Sequence, residues 1–227
     1  MPNVSVLIPT YNYARYLDEA IQSVLDQTYH DFELIIIDDQ SRDNTDEIVQ
    51  KYLSDPRVRY VKNPVNLGLV KNFNRALELA NGDYIKFLLA DDKLAPSILA
   101  KMVAVLDQQP GVSLVTSGSA TFGDHQVSRE LPLSGLQPGA TVIREALNHG
   151  KGNWIGEPSV VMFRESALEI GKFNTDYICL VDLDMWLRIL TVGDCYIIPE
   201  TLAYFRVHGK QASSKTEIRN WFDEYYF

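Results

Sequence analysis

The sequence predicts a single α/β domain whose central sheet is mostly parallel and flanked by helices. Residues 1–90 alternate short β-rich runs with segments of helical periodicity, which is typical of strand–helix–strand units. The run at residues 33–37 is almost wholly apolar, as expected of a strand buried on both faces. No repeat, low-complexity tract or linker divides the chain, so we expect one domain with two functional sub-regions.

Four strands and three helices are predicted in the first half. The strands cover residues 4–8, 33–37, 58–61 and 84–89. Pro9 is expected to end the first strand, because proline cannot donate to a β-ladder. The helices cover residues 16–25, about 41–53 with Ser41 or Asp43 as the cap, and about 70–80. Asn81 and Gly82 are expected to end the third helix.

The second half is less regular. A loop-rich stretch at residues 118–139 suits a variable segment that faces the substrate. The predicted helices cover residues 96–108, 165–170, 182–190 and 216–227. The predicted strands cover residues 112–116, 160–163, 195–198 and 202–207.

Composition excludes several classes of protein. The chain has 227 residues, 46% of them hydrophobic, and 21 basic against 30 acidic residues leave a net charge of −9. The apolar content excludes disorder, and no apolar run reaches the ~20 residues that a membrane-spanning helix needs. The acidic balance argues against nucleic-acid binding. With no leader pattern at its start, the chain is expected in the cytoplasm.

Two features leave alternatives open. Cys179 and Cys195 are too far apart for a CxxC motif and are interpreted as buried apolar residues rather than a disulfide. Five of the seven residues at 221–227 are aromatic. This segment is interpreted as self-packing or as the cut end of a longer chain. Peripheral contact with the inner face of a membrane is the alternative, which the scarcity of nearby Lys and Arg weakens.

Pairs of carboxylates follow two of the predicted strands. Asp38 and Asp39 come after the second strand, and Asp91 and Asp92 come after the fourth. Since parallel strands end at one edge of a sheet, all four are expected on the same rim. Aspartates at such positions also make turns and helix caps. Four carboxylates together would repel one another, so a divalent-metal site that holds a phosphate is the simpler interpretation. This pattern fits a nucleotide-diphosphate transferase, a phosphatase or a signalling domain.

Segments along nearly the whole chain resemble family 2 glycosyltransferases of the GT-A fold. The early segments are residues 4–12 (VSVLIPTYN), 17–29, 36–41 (IIDDQS), 66–68, 82–85 and 90–92. The later ones are residues 157–159, 171–173, 182–188 (DLDMWLR) and 204–208 (YFRVH). Their order and spacing carry the resemblance. It implies one GT-A catalytic domain over residues 1–227 with a Rossmann-like sheet. Residues of about 1–95 would bind the nucleotide sugar, and those of about 96–227, with a terminal helix, the acceptor.

The resemblance also implies an activity. An enzyme of this family moves a sugar from a nucleotide-diphosphate sugar, here expected to be a UDP-sugar, to a saccharide or lipid-linked acceptor, with inversion. The role expected is surface polysaccharide or glycolipid synthesis, assisted by Mn²⁺ or Mg²⁺. The residues implied for the nucleotide pocket are Pro9, Thr10, Tyr11, Asp38, Asp39, Lys71 and Ala90. Asp38 has a structural role as its alternative, and Arg75 is the alternative to Lys71.

The metal motif departs from the family pattern. The family usually has Asp-Ala-Asp-Asp where this chain has Leu89-Ala90-Asp91-Asp92. Asp91 matches the carboxylate that contacts the metal, and His208 matches a histidine that completes the metal site or touches the donor phosphates. Because Leu89 replaces an acid, we expect weak metal binding when the donor is absent.

The acceptor side has its own implied residues. Asp182 matches the family's catalytic base, with a helix cap as its alternative, and Asp184 is the second choice. Trp154 and Glu157 lie where the family builds its acceptor pocket, although Trp154 equally suits the core. Two other functions remain open at this point. The first is a nucleotide-binding protein that has lost catalysis, suggested by Leu89. The second is a phosphoacceptor signalling domain, disfavoured because the acid pair does not follow the first strand. Oligomeric state is left open.

Overall fold

The computed structural model describes residues 2–123, 127–148, 153–177 and 179–208. Its strands are β1 Val4–Thr10, β2 Phe32–Asp38, β3 Val58–Lys62, β4 Tyr84–Phe87, β5 Lys93–Leu94, β6 Val112–Gly123, β7 Gly135–Gln137, β8 Val161–Arg164 and β9 Asp194–Val207. Its α-helices are α1 Ala14–Leu25, α2 Thr45–Gln50, α3 Leu69–Leu79, α4 Ile98–Gln108, α5 Gly139–Asn148 and α6 Val181–Ile189. Two 3₁₀ helices, Pro158–Val160 and Glu165–Ile170, flank β8.

These strands form one mostly parallel sheet, which confirms the predicted fold class. The order is β3-β2-β1-β4-β8-β6-β9-β5, with β7 paired to β9. Strand β1 is parallel to β2 and β4, β2 is parallel to β3, and β6 is parallel to β9. The antiparallel pairs all involve β5, β7 or β8. Among the described helices, none is long and apolar enough to cross a membrane.

Strand β1 continues through Pro9, so the expectation that this proline ends the strand is wrong. Pro9 lies opposite Ile37 of β2. The Leu7 carbonyl accepts from the Leu88 amide on the β4 side, and Pro9, two residues further on, faces that same side. Pairing between β1 and β4 ends at Leu7 and Phe87. The absent N–H of Pro9 therefore removes no ladder hydrogen bond.

Helices cover the sheet through their apolar stripes. In α1 the buried positions recur at helical spacing, at Ala14, Leu17, Ala20, Ile21 and Val24. Helix α2 is shorter than predicted, because residues 51–53 form turns instead. Cys195 is buried in β9, whereas Cys179 is only partly buried; both are free thiols.

The second half contains more β-structure than predicted. Residues 118–123, expected to be a loop, extend β6, because β9 pairs with it in parallel as far as Gly123 and Val207. Strand β9 is also one strand rather than two. Gly118 allows β6 and β9 to approach each other closely, since a Cβ atom at this position would lie 2.9 Å from the Glu200 carbonyl oxygen. The predicted terminal helix at 216–227 lies outside the described residues.

The sheet has its switch point between β1 and β4. The chain runs from β1 outward to β2 and β3, and then returns to place β4 on the other side of β1. Loops that leave neighbouring strands in opposite directions open a crevice at their carboxyl ends, where ligands bind in open α/β sheets. The residues that follow β1 and β4 are Tyr11 and Leu88, so this crevice is the place to look for a site.

Candidate active site

Asp39 is buried just after β2, and its carboxylate organises the turn before α3. Its Oδ1 atom accepts from the Leu67 amide at 2.7 Å and from Asn63 Nδ2 at 2.9 Å. Its Oδ2 atom accepts from the amide of Gly68, which has a φ of 83°, at 2.8 Å. Such a left-handed position favours glycine. Asp39 thus shapes the predicted nucleotide pocket, and its contact with a base stays a prediction.

Both carboxylate oxygens of Asp38 are bound within the protein. Its Oδ1 atom accepts from the Ser41 amide at 2.9 Å, and its Oδ2 atom accepts from the Tyr60 hydroxyl at 2.9 Å. Lys62 Nζ lies 3.5 Å from the same Oδ2. Burial and the neighbouring Asp46 and Asp38 carboxylates raise the pKa of the Tyr60 phenol well above its usual range. These contacts favour the structural alternative for Asp38.

The end of β1 presents a hydroxyl without a partner. Thr10 is buried, and its Oγ1 atom has no hydrogen-bond partner in the part of the chain that the structure describes. Tyr11, the next residue, is 43% exposed. An unpaired buried hydroxyl costs about 1–3 kcal/mol unless a ligand or water completes it. Thr10 therefore suits a ligand-binding position at the switch point.

The two basic residues weighed for the nucleotide pocket differ in their surroundings. Lys71 is exposed in the first turn of α3 and has no ion pair within the described ranges. Arg75 forms an ion pair with Glu78 at 3.2 Å, and Glu78 also binds Lys172 at 2.7 Å. Lys71 thus has the freer cationic group of the two.

Asp91 and His208 meet just beyond β4. His208 Nε2 lies 3.0 Å from Asp91 Oδ2, and both side chains are mostly buried. Two adjacent ligands on an octahedral cation, each bonded at about 2.1 Å, are about 3.0 Å apart. The 3.0 Å distance between His208 Nε2 and Asp91 Oδ2 therefore suits two ligands of one small divalent cation. No third His, Cys, Asp or Glu among the described residues joins this pair to form a larger metal cluster. Ala90, also predicted at the pocket, is buried beside them.

Asp92 has a different task from Asp91. It is fully buried, and its Oδ2 atom accepts from the Ser159 hydroxyl at 2.6 Å. Its Oδ1 atom accepts from the Arg206 amide at 3.0 Å. Burial and the charge of Asp91 raise the pKa of the Asp92 carboxyl. Asp92 ties the turn after β4 to the 157–159 segment and to β9, so the four carboxylates do not converge on one cation.

Lys86, which sequence reasoning missed, lies wholly inside the domain. Its Nζ atom lies within hydrogen-bond distance of four carbonyls, those of Phe87 at 3.0 Å, Val161 at 3.2 Å and Pro158 at 3.5 Å and that of Ser159, and its three N–H groups are directed to them. Burial lowers the pKa of this ammonium group to about 7. The signal that could have found it is a single lysine within an otherwise apolar strand.

Arg206 holds the turn after β4 from the other side. Its Nε atom donates to the Asp91 carbonyl at 2.8 Å, and its Nη2 atom forms an ion pair with Glu19. The guanidinium carbon lies 4.7 Å from the ring centre of Tyr16 and 4.2 Å from that of Phe122. Arg206 therefore fixes the backbone of the residue that pairs with His208.

Asp182 stands in the first turn of α6, where its carboxylate is oriented on both oxygens. Asn153 Nδ2 donates to Oδ2 at 3.0 Å, and the Leu183 amide donates to Oδ1 at 2.9 Å. Burial, together with the charge of Glu157, raises the pKa of Asp182 to about 6. Asp184 instead pairs with Arg188 at 2.8 Å. These contacts favour Asp182 over Asp184 as a base.

The segment before β8 forms a tight turn at Gly156. Asn153 accepts from the Gly156 amide at 3.0 Å and donates to its carbonyl at 2.9 Å, and Trp186 Nε1 donates to the same carbonyl at 2.9 Å. Trp154 is 4% exposed and packs in the apolar core, which favours its core role over stacking on a sugar. The side chain of Glu157 is 35% exposed. Asn153, another residue that sequence reasoning missed, thus links this turn to Asp182.

Comparison with known proteins gives a family. The profile of Glycosyl transferase family 2 matches residues 5–171. The putative teichuronic acid biosynthesis glycosyltransferase TuaG of Bacillus subtilis is 33% identical, over 97% of this chain and 86% of that protein.

Solved structures share the fold. TarS 1-349 of S. aureus, in complex with UDP-GlcNAc, superposes with a TM-score of 0.79 at 20% identity, over 94% of this chain and 61% of that one. The mannosyltransferase PcManGT of Pyrobaculum calidifontis, in complex with GDP-Man and Mn²⁺, gives a TM-score of 0.69 at 23% identity, over 97% of this chain and 59% of that one. The chain thus spans less than two thirds of the length of either solved protein.

Proposed function

Since the chain belongs to glycosyl transferase family 2 and has the GT-A fold, we propose that it transfers a sugar from a nucleotide-diphosphate sugar to an acceptor hydroxyl, with inversion and with help from a divalent cation. The observation that carries this proposal is the meeting of Asp91 and His208, 117 positions apart, at 3.0 Å beside the switch point. A cation held by such a pair of ligands would stabilise a leaving diphosphate.

The donor is proposed to lie over the ends of β1 and β4. The Thr10 hydroxyl and the exposed Tyr11 ring support this position, and Lys71, which has no ion pair with the described residues, offers a cation for a phosphate. The solved proteins with the same fold hold UDP-GlcNAc and GDP-Man. We expect a UDP-sugar as donor.

A divalent cation, Mn²⁺ or Mg²⁺, would be held by Asp91 and His208. When bound, it would supply Lewis-acid stabilisation of the leaving diphosphate. The protein contributes the position of these ligands, since Arg206 holds the Asp91 carbonyl at 2.8 Å and β9 carries His208. With Leu89 in place of an acid, the protein alone offers few ligands and the donor must offer others.

Asp182 is proposed as the base. As the acceptor oxygen forms its bond to the anomeric carbon, the hydroxyl proton passes to the Asp182 carboxylate, and the bond from that carbon to the diphosphate oxygen breaks. A pKa of about 6 leaves Asp182 mostly ionised at pH 7 while making it a stronger base than an ordinary aspartate. Asn153 keeps one oxygen oriented throughout.

The acceptor is proposed to be a saccharide, free or lipid-linked, in the synthesis of a surface polysaccharide or glycolipid. Support comes from the similarity to a protein named for teichuronic acid biosynthesis. Glu157 lies beside Asp182 and is partly exposed, so it can contact such an acceptor.

The test is a thermal-shift screen of nucleoside diphosphates and their sugars with and without Mn²⁺, followed by assay of nucleotide release. A bound ligand raises the unfolding temperature by mass action. We expect a shift with a diphosphate nucleotide that grows with Mn²⁺, and nucleotide release that Asp182→Asn slows by about 10²–10⁴. No shift with any nucleotide would overturn the proposal. Binding without release would favour the second candidate, a nucleotide-binding protein with weakened catalysis, for which the loss of an acid at Leu89 is the motive.

A further inference from the structure

Four buried side-chain atoms around the Gly156 turn lack hydrogen-bond partners among the described residues. They are Nε and Nη1 of Arg129, Nε1 of Trp154 and Oε2 of Glu157. Trp154 and Glu157 flank the Gly156 turn, which Asn153 joins to Asp182. Folded proteins seldom leave so many buried polar atoms without partners in one place, so a cluster of them suggests a ligand-binding site or another function.

Two hydrogen bonds to β6 hold Arg129 against this turn. Its backbone amide donates to the Ser119 carbonyl at 2.9 Å, and its Nη2 atom donates to the carbonyl of Ser117. A Cβ atom on Gly156, which has a φ of 116°, would lie only 1.9 Å from Nη1. The guanidinium therefore packs directly on the face that glycine leaves open.

Arg129 and Glu157 do not satisfy each other. Nη1 lies 3.7 Å from Glu157 Oε2, which is beyond hydrogen-bond length. Burial lowers the pKa of the guanidinium, while the charge of Glu157 opposes this shift. The two groups attract each other as opposite charges, but Nε and Nη1 of Arg129 and Oε2 of Glu157 form no hydrogen bond with the described residues.

The unpaired set defines the chemistry of a ligand. It contains three N–H donors and one carboxylate acceptor. A phosphate or carboxylate would suit the donors but would be repelled by Glu157, and an alkyl chain would suit neither. Hydroxyl groups both accept and donate, so neighbouring hydroxyls on a sugar ring match all four atoms.

We propose that Arg129, the indole N–H of Trp154 and Glu157 form a subsite for vicinal hydroxyls of a saccharide acceptor, with Arg129 as its specificity-determining residue. The inference rests on the proposed function, because it places this subsite beside the base of the transfer reaction. Access comes through Glu157, whose side chain is 35% exposed. The Oε2 atom of Glu157 has no hydrogen-bond partner within the described ranges, so rotation of this side chain gives up only its 3.7 Å ion pair with Arg129.

The first experiment separates a binding role from a structural one. Arg129→Met keeps the stem and removes the unpaired donors together with a single hydrogen bond, from Nη2 to the Ser117 carbonyl, so its unfolding temperature should fall by less than that of the Arg164 variant. Arg164→Met is the matched control. Arg164 donates to the carbonyls of Val112, Leu106 and Gln109, and its loss should lower the unfolding temperature by about 3 °C or more. If Arg129→Met loses as much stability as Arg164→Met, Arg129 is structural and the proposal is overturned.

The second experiment measures binding. Methyl pyranosides of gluco, galacto and manno configuration are tested by saturation-transfer NMR, with and without UDP and Mn²⁺. The unaltered protein should bind at least one of them, and Arg129→Met should weaken that binding by about tenfold or more. Absence of binding to every pyranoside, or equal binding by Arg129→Met, would overturn the subsite. Pyranoside binding in a protein that binds no nucleoside diphosphate would instead overturn the proposed function alone.

Discussion

The Nε2 atom of His208 lies 3.0 Å from the Oδ2 atom of Asp91, although the two residues are 117 positions apart in the chain. Two elements bring them together. The turn after β4 carries Asp91, and the end of β9 carries His208. Arg206 joins these elements through its bond to the Asp91 carbonyl. The proposed cation site therefore depends on long-range packing as well as on its two ligands.

Asp91→Asn and His208→Ala should each weaken Mn²⁺ binding in the presence of UDP by about tenfold or more, because each removes one of two protein ligands. Calorimetric titration measures this affinity. Asp184→Asn is the control, since Asp184 pairs with Arg188 and should leave Mn²⁺ binding unchanged. Equal affinity in all three variants would count against the pair as ligands.

Leu89→Asp should strengthen Mn²⁺ binding to the nucleotide-free protein, because it adds the carboxylate that the resemblance leads one to expect at this position. Leu89→Asn supplies a similar shape without the charge and serves as the comparison. We expect a gain of about tenfold from the aspartate. A nanomolar affinity in the unaltered protein would contradict the weak binding predicted from Leu89.

Asp182→Asn should lower the turnover number by about 10²–10⁴, because general-base catalysis contributes that much. Affinity for UDP should change less than twofold. The turnover of the unaltered protein should rise with pH through about 6, the pKa of Asp182, and this rise should be absent from the variant. Steady-state kinetics from pH 5 to 8 supply both readings. Full turnover in Asp182→Asn would show that the base lies elsewhere.

Asp182 also links pH to stability. Its pKa of about 6 lies above the ~3.9 of an unfolded aspartate, so the folded state binds the proton more tightly. The stabilisation from this proton is complete below pH ~4 and is lost as the pH rises through about 6. Asp182→Asn should therefore be more stable than the unaltered protein at pH 7 by on the order of 1–3 kcal/mol, but not at pH 4. Urea unfolding at the two pH values measures the difference, and an equal effect at both would refute the linkage.

Lys86→Met should destabilise the fold by about 2–4 kcal/mol, because several buried carbonyls that now accept from its Nζ atom would lose their donor. Lys51→Met is a suitable control. Lys51 is 57% exposed and pairs with Asp18 at the surface, so its loss should cost less than about 1 kcal/mol. Equal losses of unfolding free energy in the two variants would refute the role given to Lys86.

The sequence predicts the parallel half of the fold well and the second half less well. Apolar runs mark β1, β2 and β4 because a strand covered on both faces must be apolar. The end of β6 lacks this mark. Its residues Ser117, Gly118 and Ser119 look like a loop, but β9 supplies their hydrogen-bond partners from about 80 positions away. Local composition does not carry that information.

The sequence likewise predicts one part of the candidate site and misses another part. Motifs single out Asp91, Asp182 and His208, because short segments around them resemble a family. Arg129 and Asn153 belong to no such segment. Their importance comes from contacts with Gly156, which only the folded chain brings about. Sequence motifs therefore identify catalytic groups more easily than they identify the residues that position those groups or select the substrate.

The buried ammonium group of Lys86 has a consequence for redesign. It donates to the carbonyls of Pro158 and Ser159, next to the Glu157 position, from a strand that also leads to the cation site. A chimaera could take its 153–160 segment from a relative in order to change acceptor preference. The backbone carbonyls of that segment would then have to accept hydrogen bonds from Lys86. Only segments that place their carbonyls at the same positions around Lys86 should give stable chimaeras. A library built without this requirement should contain mainly unstable proteins.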